Sequence, residues 1–253
     1  MTTLLMRLAA PLQSWGNASK FNSRGTEKEP SKSGVIGMVA SAMGLSRDSD
    51  ISMLSVLRFG VRIDQPGRMI RDFHTVSKNG KSVDYITERF YLADAVFLVG
   101  LEGDGQVLET ADAALRRPKY PLFLGRRSCP PSGKVSLGIR EGTLEESLAT
   151  EPWQASEWFR GRIDDDYSLD LMLESEGSSL VSDQPVSFSQ DRRVFGLRGV
   201  EYRGNAVKVF TRSPSEDLEE RPVETLSGQE IVKGQRRPMN TTLDFFMEAG
   251  GSR

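Results

Sequence analysis

The alternation of apolar and polar positions divides the first half of the chain into short, well-separated elements. Thr3 to Ala10 (TLLMRLAA) is apolar except at Thr3 and Arg7 and predicts a buried strand. Pro11 to Gly16 (PLQSWG) breaks it and leaves Trp15 in a loop, where an indole serves either as a packing anchor or as a stacking platform for a base. The polar segment Asn17 to Glu29, with Lys20, Arg24 and Lys28, predicts a mobile connection. Pro30-Ser31-Lys32-Ser33-Gly34 starts a helix with serines available to cap it. Val35, Ile36, Val39, Ala42 and Met43 form the apolar stripe of that helix, and Gly44 suits its carboxyl-terminal stop.

Leu54 to Asp64 and Met69 to Lys78 read as strands, Asn79-Gly80 as a type I′ turn, and Lys81 to Tyr91 as the returning strand. Thr75, Ser77, Lys78, Lys81, Ser82 and Asp84 give this hairpin little to bury, so it is expected to project from the body. Leu92 to Leu101 predicts a buried strand, and Gly103-Asp104-Gly105 turns into a helix from about Gln106 to Arg116, ended by Pro118. Beyond it lie a strand at Lys134 to Ile139 and helical pieces at Leu144 to Leu148 and Trp153 to Arg160. A strand at Leu169 to Glu174 is followed by a Gly-Ser turn at Glu176 to Ser179, and a late strand covers Tyr202 to Phe210. From Ser213 the tail is loosely ordered, apart from a closing piece at Leu243 to Met247. The succession predicts an α+β fold: a ferredoxin-like split βαβ domain over residues 1–140, with a protruding hairpin thumb at about 71–91. A smaller β-rich extension and tail occupy 141–253.

Charge changes this picture more than composition does. The net charge of −2 comes from 33 Lys and Arg against 35 Asp and Glu, which by itself argues against nucleic acid, yet the charges are segregated. Glu141 to Asp183 holds twelve acids against two arginines, whereas Arg192 to Arg212 holds six basic residues against Glu201. Arg116 to Arg140 holds seven basic residues and no acid. Within it, Lys119 to Pro131 (KYPLFLGRRSCPP) runs from an apolar segment through Gly125 to the paired Arg126 and Arg127. It reads either as a solvated, proline-bounded turn or as a phosphate-binding loop. The amino-terminal end of the helix at Ser31 to Gly34, with Lys32 and Ser33, is a second place able to hold a phosphate.

Catalytic and metal chemistry find few residues. His74 is the only histidine and Cys129 the only cysteine, so neither a two-histidine metal site nor a disulfide is available. No metal site and no cofactor are expected. Asp164-Asp165-Asp166 reads as a solvated acidic loop, and neither a Walker P-loop nor a dinucleotide-binding glycine motif occurs. His74, with Tyr85 or Lys119 assisting, could act as a general base on an RNA 2′-hydroxyl, but Arg71 and Asp72 equally suit a structural histidine. The chain shows no signal-peptide pattern and no apolar stretch of membrane-spanning length, so a cytoplasmic protein without a membrane partner is expected.

Several segments, in order, carry a recognisable pattern: Leu8 to Gly16, Pro30 to Gly37, Arg71 to Thr75, Arg89 to Asp94, and Tyr120 to Pro130, with a weaker echo at Asp183 to Phe195. In these the chain resembles the Cas-five family of the RAMP superfamily, in its CasD branch from type I-E CRISPR Cascade complexes. The resemblance implies a non-catalytic subunit that grips the 5′ handle of the CRISPR RNA. It would touch the Cascade backbone subunit and the large subunit, and meet target DNA only through the complex. RNA contacts are then expected from Gln13, Trp15, Lys20, Arg24, Lys32, Ser33, His74, Lys119, Tyr120, Arg126, Arg127 and Ser128. These include guanidiniums for phosphates and aromatics for splayed bases. The alternative is a metal-independent endoribonuclease, as in type I-C members, which are expected to use a Tyr, Lys and His set; here Lys119 is followed by Tyr120 rather than by His.

Overall fold

The computed structural model describes residues 1–16, 23–77, 85–163 and 167–209. In chain order, β1 (Thr2–Ala9), β2 (Leu12–Gln13) and β3 (Ser23–Arg24) lead to α1 (Lys32–Met43), and α2 (Ser52–Ser55) precedes β4 (Arg58–Gln65). Then come β5 (Arg68–Val76), β6 (Tyr85–Ala93), β7 (Val96–Gly103), α3 (Gly105–Arg116) and β8 (Ser136–Glu141). α4 (Leu144–Thr150), α5 (Glu157–Arg160), β9 (Ser168–Ser187) and β10 (Val194–Lys208) complete the described chain.

Six strands form one antiparallel sheet in the order β10-β9-β4-β7-β1-β8. Successive side chains of β1 alternate between its faces, as a pleated strand requires. Leu4, Met6 and Leu8 join the main core with Val35, Ile36 and Val39 of α1 and Leu108, Ala111 and Leu115 of α3. Leu5 joins Leu98, Leu171 and Leu173 on the opposite face, beneath Leu144 and Leu148 of α4. Ser31 caps α1 by accepting from the Gly34 amide, and Gly44 ends the helix with φ +81°. Asp104 caps α3 through the amides of Gln106 and Val107, and α4 carries a full capping box between Thr143 and Glu146.

A second sheet stands apart from the first. β5 and β6 pair antiparallel from Arg68↔Ala93 to Val76↔Tyr85. The other edge of β6 takes β2 antiparallel at Leu92 and Ala93 and β3 parallel at Glu88 and Arg89. The expected hairpin tip at Asn79-Gly80 lies outside the described residues, as do Asp164 to Asp166 and the tail from Phe210 onward, including Leu243 to Met247.

The strand expected from Leu54 begins only at Arg58, because Ile51, Leu54 and Leu57 recur every third residue and bury together around the turn of α2. Leu92 and Ala93 finish β6 rather than opening β7; the chain turns at Asp94, at φ +57°, a conformation that Asp tolerates. No turn ends the strand at Glu176 to Ser179. β9 continues to Ser187, and residues 175–179 are looped out of the ladder, since adjacent Gly199 and Val200 face Leu180 and Glu174. β10 likewise begins at Val194, eight residues before the expected start at Tyr202. The large sheet therefore runs across residue 140, and residues 1–213 cluster as one compact unit. Among the described residues no helix is long and apolar enough to cross a membrane.

Candidate nucleic-acid interface

The segment 119–131 folds as a tight loop pinned at both ends. The Lys119 amide donates to the Ala42 carbonyl at the end of α1 (2.8 Å), and the Ser132 amide donates to Ala9 of β1 (2.7 Å). Inside, Leu124 N–H donates to Cys129 O (2.7 Å) and Cys129 N–H to Arg126 O (2.9 Å), with both side chains fully buried beneath the turn. Burial pushes the Cys129 thiol above its ordinary pKa, so it stays protonated and serves as packing. Gly125 has φ +83°, and a Cβ there would lie 1.6 Å from the Ser14 carbonyl oxygen. Only glycine fits this approach, and it fixes the place where the two arginines emerge.

Arg126 turns back over the second sheet. Its guanidinium lies 4.6 Å from the centre of the Tyr91 ring, and Nη2 donates to the Arg24 carbonyl at 2.7 Å and to that of Gly25 at 3.3 Å. Arg127 is exposed and unpaired among the described residues. The parallel pairing of β3 with β6 sets Arg24 beside Arg89, two residues from Tyr91 on the same face of β6. Arg24, Arg89, Arg126 and Arg127 thus gather around one loop, and none has a carboxylate partner among the described residues. Arg89 Nε and Arg126 Nη1 are also buried without a hydrogen-bond acceptor among the described residues. Buried donors without acceptors are costly, and an anionic ligand would relieve both. The basic stretch is less free at its ends: Arg116 pairs with Asp112 and Arg140 with Glu151, both at 3.0 Å.

Other expected contact residues are placed differently. Gln13 is fully buried; its amide donates to Leu8 O (3.2 Å) and Ala95 O (2.7 Å) while Oε1 accepts from Trp15 Nε1 (3.0 Å). Trp15, 1% exposed, is the packing anchor, and Gln13 holds it in register. Lys32 is equally buried, and its ammonium lies 3.0 Å from both oxygens of Glu174 on β9. Burial lowers its pKa against the opposing pull of Glu174. The first amide of α1 donates to Asp183 Oδ2 (2.7 Å), whose carboxylate is held in turn by Arg198 (2.6 and 3.0 Å). The helix end is therefore partly occupied by the protein's own carboxylate, and Lys32 is committed to a buried pair. Ser33 lines a cleft described below.

His74 stands on β5 with its ring 2.8 Å from Asp72 Oδ2, and Lys119 and Tyr120 are exposed beside the end of α1. Ser128 is exposed next to Arg127, and Lys20 lies outside the described residues. Arg89, Tyr91, Arg193 and Phe195 are not among the contact residues expected from the sequence, although each falls in a segment that carries the family resemblance. In the sequence Arg89 is one strand arginine among several, and the pairing of β3 with β6 is what gives it neighbours.

An antiparallel sheet carrying this arginine-rich glycine turn is shared with CRISPR-associated proteins. The family model described as CRISPR-associated protein (Cas5) matches residues 3–201, and the chain belongs to that family. The Cascade subunit CasD of Escherichia coli strain K12 is 34% identical over 156 residues, 53% of this chain and 70% of CasD. Among solved structures, a chain of a CRISPR RNA-guided surveillance complex is 31% identical with a TM-score of 0.70, over 81% of this chain and 91% of that one. A Cas protein crystal structure is 40% identical with a TM-score of 0.65, over 79% of this chain and 93% of its own.

Proposed function

We propose that the chain is a non-catalytic, CRISPR RNA-binding subunit of a type I-E Cascade surveillance complex. It grips the 5′ handle of the guide and caps the backbone subunits next to the large subunit, and target DNA meets it only through the assembled complex, in the cytoplasm. The observation that carries this reading is the cluster of Arg24, Arg89, Arg126 and Arg127, without a carboxylate among the described residues and with two buried N–H groups lacking acceptors. Such a set matches a phosphate backbone, with the Tyr91 ring beneath Arg126 keeping that guanidinium flat. The order β8-β1-β7-β4, with α1 after β1 and α3 after β7, supports the ferredoxin-like reading, and the antiparallel β5–β6 pair supports reading this hairpin as a thumb. Co-expression with the other subunits and a repeat-spacer transcript, followed by sequencing of the retained RNA, tests the proposal. Guide RNA should co-purify with its 5′ handle protected from nuclease, and loss of that protection in Arg126→Ala/Arg127→Ala should follow. Handle RNA equally protected without this subunit would overturn it.

One observation favours the endoribonuclease reading: the exposed Asp72–His74 pair at 2.8 Å has the geometry of an oriented general base. Lys119, however, is tied by its amide to Ala42 at the end of α1 rather than to β5, and Tyr120 is exposed next to it in the chain. Purified protein incubated with repeat RNA, with and without EDTA, should leave it intact. Cutting at one site, abolished by His74→Ala, would establish the enzyme instead.

A further inference from the structure

A small cleft of about 100 Å³ is lined in part by Gly125, the residue before Arg126 of the arginine cluster. Its walls come from three parts of the chain: Ser14 to Gly16, the first turn of α1, and Arg193 with Phe195 at the start of β10. The first turn of α1 has one residue whose donors are unspent. Lys32 N–H is taken by Asp183, Gly34 N–H by Ser31 Oγ, and Val35 N–H by Ser31 O. Neither the N–H nor the hydroxyl of Ser33 has a partner among the described residues, although the residue is only 9% exposed and lines the cleft. The charges behind it balance, Lys32 and Arg198 against Glu174 and Asp183, so Arg193 sets the sign of the cleft. Arg193 is exposed, has no carboxylate partner among the described residues, and lies 5.1 Å from the centre of the Phe195 ring, which orients it.

We infer that this cleft seats a single phosphodiester of the RNA strand, with Ser33 donating from below through N–H and Oγ–H and Arg193 closing from above. The inference rests on the RNA-binding reading and adds a second anchor to it, contributed by the carboxyl-terminal hairpin. A helix start with two unspent donors and a facing guanidinium suits a tetrahedral anion. The strand's path then runs from the arginine cluster across Gly125, which borders both, to the start of α1.

The test uses the full-length chain and repeat-derived RNA carrying its 5′ handle, titrated by fluorescence anisotropy at several salt concentrations. Arg193→Ala should bind roughly tenfold more weakly at 0.1 M salt, with a slope of log affinity against log salt shallower by about 0.7. Its melting temperature should be unchanged, because Arg193 is exposed and has no salt-bridge partner among the described residues. Ser33→Ala should weaken binding while leaving the slope intact, since it removes a donor but no charge. A scan replacing one phosphate at a time by neutral methylphosphonate should find one position that weakens wild type but not Arg193→Ala. Equal affinity and slope in wild type and Arg193→Ala, or identical methylphosphonate profiles, would overturn the inference while Arg126→Ala/Arg127→Ala still showed the main RNA site. A wild-type chain that does not bind handle RNA would overturn the RNA-binding reading and this inference together.

Discussion

An alanine at position 125 would have to place its Cβ 1.6 Å from the Ser14 carbonyl on a backbone at φ +83°. Relief would require the loop to leave β2, breaking the 3.2 Å bond from Ser14 N–H to Leu124 O and unseating Leu124 and Cys129. Gly125→Ala is expected to cost about 2–4 kcal/mol in urea unfolding and to release bound RNA. The neighbouring arginines should separate by assay. Arg127 is exposed, with no hydrogen-bond or ion-pair partner among the described residues, so Arg127→Ala should keep its melting temperature while flattening the salt slope of RNA binding by about 0.7. Arg126 also holds Tyr91 and the Arg24 carbonyl, so Arg126→Ala should lose roughly 1–2 kcal/mol of stability as well. Losing both should flatten the slope by about 1.4 if each neutralises one phosphate. A double variant with wild-type affinity and slope would remove the pair from the RNA site.

At the scale of elements, α4 is fastened to the sheet by charge at both ends. Arg58 at the start of β4 donates to Glu145 in the first turn of the helix (Nη1, 3.0 Å) and holds that carboxylate below its ordinary value of 4.5. Because the folded value is the lower one, this stabilisation is fully present above about pH 4.5 and is lost as pH falls through the depressed value. Thermal melts of wild type and Glu145→Gln should therefore differ at pH 7, with the gap narrowing as pH falls below 4.5; a gap that does not narrow in acid would refute the assignment. At the other end, fully buried Arg62 of β4 donates to the carbonyls of Glu151 (2.7 Å) and Pro152 (2.9 Å) and pairs with Asp64 (2.6 Å). That clamp was invisible in the sequence, where Arg62 reads only as the polar phase of an alternating strand. Elements with a strong local cue were legible: the serine-capped start of α1 and its glycine stop, the apolar run of β1, and the Gly103-Asp104-Gly105 turn into α3. What failed depended on distant partners. The looped-out residues 175–179 look like a turn until β10 supplies a ladder on both sides of them. Lys32 looks like a free phosphate ligand until Glu174 arrives to bury it. The proposed site followed the same rule: Arg126 and Arg127 stand out as candidates from adjacency and Gly125, whereas Arg89 and Arg193 become candidates only through strand pairing.

At the scale of the molecule, β9 seals the open edge of β4 and brings Glu174, which accepts from both Lys32 Nζ and Phe59 N–H (3.0 Å each). A fragment ending at residue 140 would keep the first four strands of the sheet but leave Lys32 buried without its counter-charge and β4 without a neighbour. Such a fragment should fail to unfold cooperatively and should be cut rapidly by protease; a sharp thermal transition in residues 1–140 alone would contradict this. The Lys32–Glu174 pair has a temporal side as well. The two residues lie 142 positions apart, and at about 5–20 residues per second a ribosome needs roughly 7–28 s to make the second after the first. Throughout that interval the opening helix carries a charge with no mate and the nascent sheet has an unsealed margin, so this chain finishes its beginning only when its hairpin has been synthesised.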